Sequence, residues 1–232
     1  MSTIKRFGRG LTLAGILAGA TTVAVPSAVQ AQRKLELTPF LGSYYALTKM
    51  CSDCENNGST DKISAHQVSA AAIGGRLSYW ISNTIGIEGA FAYTPSQAEE
   101  RFQVSGFGLA VSGKGRIIQA SGRLLYRPPR TNLHFIVGGG IVSRGDTVWQ
   151  AFQFRSDSPD SVGAKLTSVA GILGMGVRAS VTPKFALNVS AEVSLYSFDP
   201  HLGATSATSS ANGGKLQADL LVSVGVPISL SH

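Results

Sequence analysis

The sequence predicts an all-β chain: an eight-stranded antiparallel up-and-down transmembrane β-barrel, with short periplasmic-type turns at one end and longer external loops at the other. Three observations lead there. Strand-like runs alternate apolar and polar residues, the connections between them alternate short and long, and the chain is poor in charge. Only 14% of its 232 residues are charged, below the roughly 25–35% typical of a soluble surface.

The first segment lies outside that fold. Lys5, Arg6 and Arg9 give a basic start, "LTLAGILAGATTVAV" an apolar centre, and "VQA" ending at Ala31 a small-residue cleavage site. Residues 1–31 therefore read as an export signal and 32–232 as the mature barrel domain, beginning at Gln32. Glycine, threonine and Pro26 interrupt the apolar run, which disfavours a retained membrane helix, and no later segment is apolar for long enough to span as a helix. Losing the three cations Lys5, Arg6 and Arg9 takes the formal charge from +7 to +4. The remaining basic residues are scattered and no aromatic-basic motif accompanies them, so nucleic acid is not an expected partner.

Eight strands follow, at about 34–48, 65–81, 85–95, 115–127, 132–144, 164–181, 185–198 and 215–230. In the third, Ile85, Ile87, Phe91 and Tyr93 oppose Glu88 and small residues. In the seventh, Phe185, Leu187, Val189, Ala191, Val193 and Leu195 oppose Asn188, Ser190, Glu192, Ser194 and Tyr196. In the eighth, every second residue from Leu216 to Leu230 is apolar, opposite Gln217, Asp219, Ser223 and Gly225. Short connections fall at "SNT", "PPRT" and "TPK"; long polar ones fall at 49–64, 96–114, 145–163 and 199–214. A strand of about twelve residues at roughly 3.3 Å each, tilted about 40°, rises about 30 Å, enough for a hydrocarbon layer.

A soluble barrel would alternate too, but would turn its charged face to water. The polar faces here are mostly Gly, Ala, Ser and Asn with few Lys, which suits a crowded interior, and an eight-stranded barrel is just wide enough to be filled by side chains. Assigning each strand's charged parity to the lumen places Glu36, Arg76, Glu88, Arg123, Arg178, Glu192 and Asp219 inside, three cations against four anions. Arg76 and Glu88 flank the 82–84 turn and are expected opposite or diagonal to one another, so that removing Arg76 strands Glu88.

The other conspicuous residues read structurally. Cys51 and Cys54, the only cysteines, fall in the first long loop; in an exported chain they are expected to form a disulfide. Redox use of CxxC needs a helix that is lacking, and zinc held by Cys51, Asp53, Cys54 and His66 would have irregular spacing, so no metal is expected. His134 lines the lumen floor or marks the interface; no serine neighbours it, and no catalytic residue is expected. "DSPD" at 157–160 and Glu99–Glu100 read as solvated loop charges, since neither supplies the oxygens or the tight turn of a calcium loop. Tyr45, Tyr79, Tyr93 and Tyr126 suit interfacial girdles, while Trp80 and Tyr196 fall on the inward parity. Pro39 and Pro227, low on the first and last strands, predict a weakened closing seam.

The stretches "LELTPFLGSYYALT", "GGRLSYWISNTIGIEGAFAYT", "GRLLYRPPRTNLHFIVGGGIV" and "GILGMGVRASVTPKFALNVSAEVSLY" resemble the small outer-membrane β-barrel domain family, the OmpA-like, OmpX-like and opacity-protein group, over nearly all of residues 34–230. The resemblance implies insertion into the cell outer membrane by a barrel-assembly machinery, among outer-membrane lipid and lipopolysaccharide. In "SVGVPISL", Ser223, Gly225, Ile228 and Leu230 match the family's assembly signal, with Leu230 where an aromatic is usual and Ser231 and His232 added. No cofactor is implied. Members serve as structural anchors, adhesins or resistance factors; no peptidoglycan-binding segment is seen, so a cell-wall tether is not expected. The expectation is a non-enzymatic structural or surface-interaction protein acting through its external loops. The alternatives are a narrow channel or hydrophobic-molecule conduit and, with least support, an outer-leaflet lipid-modifying enzyme.

Overall fold

The computed structural model describes residues 35–49, 51–55, 62–104, 107–145, 166–182, 185–198 and 215–230. Residues 1–31, read above as an export signal, and the third and fourth long connections, with "DSPD", lie outside the described residues, as do the side chains of 51–65.

The strands are β1 (Leu35–Ala46), β2 (Cys51–Glu55), β3 (Lys62–Gln67), β4 (Ala70–Trp80), β5 (Ile85–Val104), β6 (Phe107–Tyr126), β7 (Leu133–Gly145), β8 (Leu166–Thr182), β9 (Phe185–Phe198), β10 (Lys215–Gly225) and β11 (Ile228–Ser229). Each of β4 to β9 pairs antiparallel with its successor, and β1 pairs with both β4 and β10, so the sheet closes on itself. With β10 and β11 sharing one line, that makes eight staves and the expected closed up-and-down barrel.

The interior is the polar side. More of the buried residues are polar or charged than apolar, with Arg76 and Glu192 each 2% exposed and Asp219 1%. Outside, Leu41, Leu173 and Val169 are 69%, 55% and 81% exposed, an arrangement that costs free energy in water and gains it against hydrocarbon. From the lower girdle of Tyr79, Tyr126, Phe135 and Phe185, all exposed, the outward faces run apolar or small up to Tyr45 and Tyr93. Trp80 and Tyr196 are buried inside.

Two features depart from the sequence reading. The stretch 96–114 is not a loop: β5 and β6 stay paired without a break from Ile85↔Tyr126 to Val104↔Phe107, so Glu99 and Glu100 belong to a strand. The 49–64 connection likewise holds the β2–β3 hairpin, and β3 continues on β5 above β4. The alternation of apolar and polar residues records a lipid outside and a packed inside; a strand wet on both faces loses that record and resembles a loop.

The second departure concerns the prolines. In an antiparallel strand the N–H and C=O of one residue point to the same neighbour, and successive residues point to opposite ones. Pro39 accepts from the Val226 amide at 3.1 Å, so its missing N–H is a bond lost from the closing seam with the last stave. Pro227, one residue on, faces β9 instead, and pairing with β9 stops at Gly225↔Asn188. The prolines thus weaken two adjacent seams rather than one. Register is kept across the gap, from Phe40↔Gly225 to Leu37↔Ile228.

Candidate functional site

The lumen charges lie in tiers. In the lower half Glu192, on β9, accepts from Arg76 of β4 at 2.8 Å and faces Arg123 of β6, also at 2.8 Å. Glu88, on β5, faces Arg123 at 3.3 Å and stands 3.9 Å from Arg76. Two arginines and two carboxylates from four staves thus form one ring of contacts across the barrel. Arg76 also donates to Ser190 and Ser223, and Ser78 donates to Glu88 at 2.6 Å. Arg76 and Glu88 are diagonal, as their places beside the turn require, with Ser78 directly opposite Glu88. Arg76's close partner is nevertheless Glu192, a pairing between staves far apart in sequence. Removing Arg76 therefore takes the close partner from Glu192 and the more distant one from Glu88, and leaves Arg123 to face both carboxylates.

Nearer the short turns Arg178 donates to both carboxylate oxygens of Glu36, each at 2.9 Å. Trp80, Leu125 and Ile136 pack together there, and the Arg127 guanidinium lies 4.0 Å from the Trp80 ring centre. His134 points into this floor and is 5% exposed. Gly176 opposite has no room for a side chain, because a Cβ there would overlap the imidazole.

In the upper half is a constellation the strand parities did not reveal. Arg144, at the top of β7 and 2% exposed, donates to Asp219 at 3.0 Å, to the Tyr44 hydroxyl at 3.1 Å and to the Tyr196 hydroxyl. Tyr196 in turn donates to Asp219 at 2.6 Å. Around this group pack Phe40, Ala72, Ile117, Val142, Ala170 and Leu221, all buried. Sequence reasoning left Arg144 at a strand end next to a loop. The signal that could have found it was the count of three cations against four anions, which left one carboxylate without a partner. Its parity with His134 and Val142 agreed.

Gly225 and Ser223 point inward, Ile228 and Leu230 outward, on the last stave. Ser223 holds Arg76, so a position matched to an assembly signal also belongs to the interior network. The backbone register shifts by a residue between Cys51 and Cys54, whose side-chain pairing lies outside the described residues. His66 faces Glu99 at 3.5 Å.

Chemically this lumen is an interior cross-braced by ion pairs. Above it rises a sheet of a different kind. Nine residue pairs, Ser96↔Gly115 to Val104↔Phe107, carry the β5–β6 hairpin onward for about 30 Å along the strand, with β3 and then β2 added beside β5. Among the described residues, Phe107–Gly115 pair only with β5, and β2 only with β3.

No family model matches the chain, and no curated protein matches it in sequence. Solved structures do match. The outer membrane protein AlkL, determined by solid-state NMR in DMPC lipid bilayers, is similar over 86% of this chain and 91% of its own, with TM-score 0.51 at 14% identity. OprG from Pseudomonas aeruginosa aligns over 84% of this chain and 96% of its own, with TM-score 0.45 and 15% identity. For Neisserial surface protein A the shares are 86% and 98%, with TM-score 0.45 and 13% identity. The AlkL likeness shows the fold, that of a small outer-membrane barrel of the kind the sequence resembles.

Proposed function

We propose that the protein is a non-enzymatic outer-membrane barrel that works by surface interaction, its closed lumen serving as a rigid post for the external sheet. One observation carries the reading: the interior is filled at two heights by ion pairs and apolar packing, whereas the sheet continues well beyond the apolar belt, with edges on β2 and on upper β6 that are open among the described residues. An open edge offers unpaired main-chain donors and acceptors to an incoming strand, which suits recognition by strand addition. The inverted polarity supports residence in the outer membrane, and the basic, apolar and small-residue order of residues 1–31 supports export with cleavage after Ala31. Assembly would involve a barrel-inserting machinery reading the last stave.

The test compares cells expressing the whole chain with cells whose 97–114 hairpin is replaced by a two-residue turn. Both are expected to show heat-modifiable gel mobility, the sign of a folded barrel. Only the whole chain is expected to support attachment to a protein-coated surface or cell-to-cell association. Equal attachment by the two would sink the reading.

A further inference from the structure

The wall of the barrel has a cleft at the height where the apolar belt ends, and we infer that it binds a phosphate-bearing lipid headgroup of the outer leaflet, with Arg116 as the main contact and Lys114 beside it. The inference concerns the barrel wall and stands whether or not the external sheet binds a partner.

The cleft comes from the backbone. Pairing of β4 with β5 follows Ile73↔Tyr93, while that of β3 with β5 follows Gln67↔Ala98, a slip of one residue taken up at Val68–Ser69. Pro95, which has no N–H to give, lies on β5 opposite that slip. Ser96 pins the break from inside by donating to the Val68 carbonyl at 2.6 Å. The result is a cleft of about 590 Å³ whose outward side is made by Ser69, Tyr93, Pro95, Gln97, Lys114 and Arg116.

Its height decides its chemistry. On β6 the outward residues run Tyr126, Leu124, Gly122, Ala120 and Ile118 before Arg116. Ten residues at roughly 3.3 Å, tilted about 40°, put Arg116 about 25 Å above Tyr126, the height of an outward apolar band. On all eight staves the outward positions from the lower girdle to the level of Tyr93 hold no Lys or Arg, so Arg116 is the first cation met on leaving the hydrocarbon. It is exposed, and it lies across Gly145 of β7, where a Cβ would stand 3.1 Å from its Nε. The missing side chain leaves room there for the guanidinium.

Lys114, which has other contacts, lies one register step higher beside Gln97. Among the described residues the nearest carboxylate on this face in register is Glu99, above both cations and engaged by His66. Below the cations lie Ile118, Tyr93 and Phe91, a path for an acyl chain. A guanidinium fork matches two phosphate oxygens, and a lipid can place its phosphate here while its tail stays on the apolar belt. A soluble anion could use the fork but not the path below it.

The test uses the full folded chain in phosphatidylcholine nanodiscs carrying spin-labelled phosphatidic acid or spin-labelled phosphatidylcholine. The motionally restricted fraction is expected to favour phosphatidic acid, and Lys114→Glu with Arg116→Glu is expected to cut that preference about fivefold or more. Arg130→Glu, a charge reversal at the exposed opposite rim, should leave it intact, and all variants should keep heat-modifiable mobility. No preference in the wild type, or the same preference in the double variant, would overturn the site. Inorganic phosphate binding as tightly, in discs without the acidic lipid, would overturn the lipid assignment.

Discussion

Arg144 is the residue on which the upper interior turns. It bonds one carboxylate and two tyrosine hydroxyls in a space sealed by apolar side chains, so its charge has few substitutes. Arg144→Met alone is expected to destabilise the folded barrel by about 3 kcal/mol, because Asp219 is left charged and buried. Adding Asp219→Leu should recover part of that loss, and urea unfolding in lipid vesicles of the two single variants and the double variant measures the coupling. Arg76→Ala should cost a similar amount, about 3 kcal/mol, because Arg123 alone is left to face both Glu192 and Glu88. A second change, Glu192→Gln, which removes the closer partner of Arg76, should then relieve more of the defect than Glu88→Gln. The seven lumen residues were legible because a strand has a period of two and charge must hide from lipid. Their partners were not, since a parity assigns a face and says nothing of which stave lies across the lumen.

Elements were legible to the extent that a membrane wrote them. β9 reads from its sequence as it stands in the structure, Phe185–Phe198, because lipid and lumen impose opposite demands on alternate residues. The upper parts of β5 and β6, "SQAEERFQV" and "FGLAVSGKG", meet no such pair of demands, and their glycines and charges resemble a connection. Pairing registers are element properties too. Because Pro39 faces the last stave, Pro39→Val restores one donor opposite the Val226 carbonyl and is expected to stabilise the barrel by about 1 kcal/mol. A raised urea midpoint with an unchanged slope would show it. Pro227→Val should act on the junction with β9 instead, and hydrogen exchange at residues 186–188 would register the difference.

At the scale of the molecule, the inverted polarity sets what the surface tolerates. Val189→Arg, on an outward position 42% exposed and four residues above Phe185, is expected to cost about 2–4 kcal/mol in a bilayer. The same arginine at Ser197, near the upper rim, should cost about 1 kcal/mol or less, so the pair of variants measures depth rather than mere substitution. A lumen braced at two heights is expected to be electrically silent: planar bilayers holding the wild-type chain should show no steady current, and persistent openings would favour the channel reading over a post.

Since β1 is bonded on one side to β4 and on the other to β10, the earliest stave to be made has to wait for the latest. A ribosomal product truncated before Lys215 would have two raw borders, one on β1 and one on β9, and no way to join them. Loss of residues 215–232 should therefore yield not a weaker barrel but none, cleared by proteolysis before it reaches its destination.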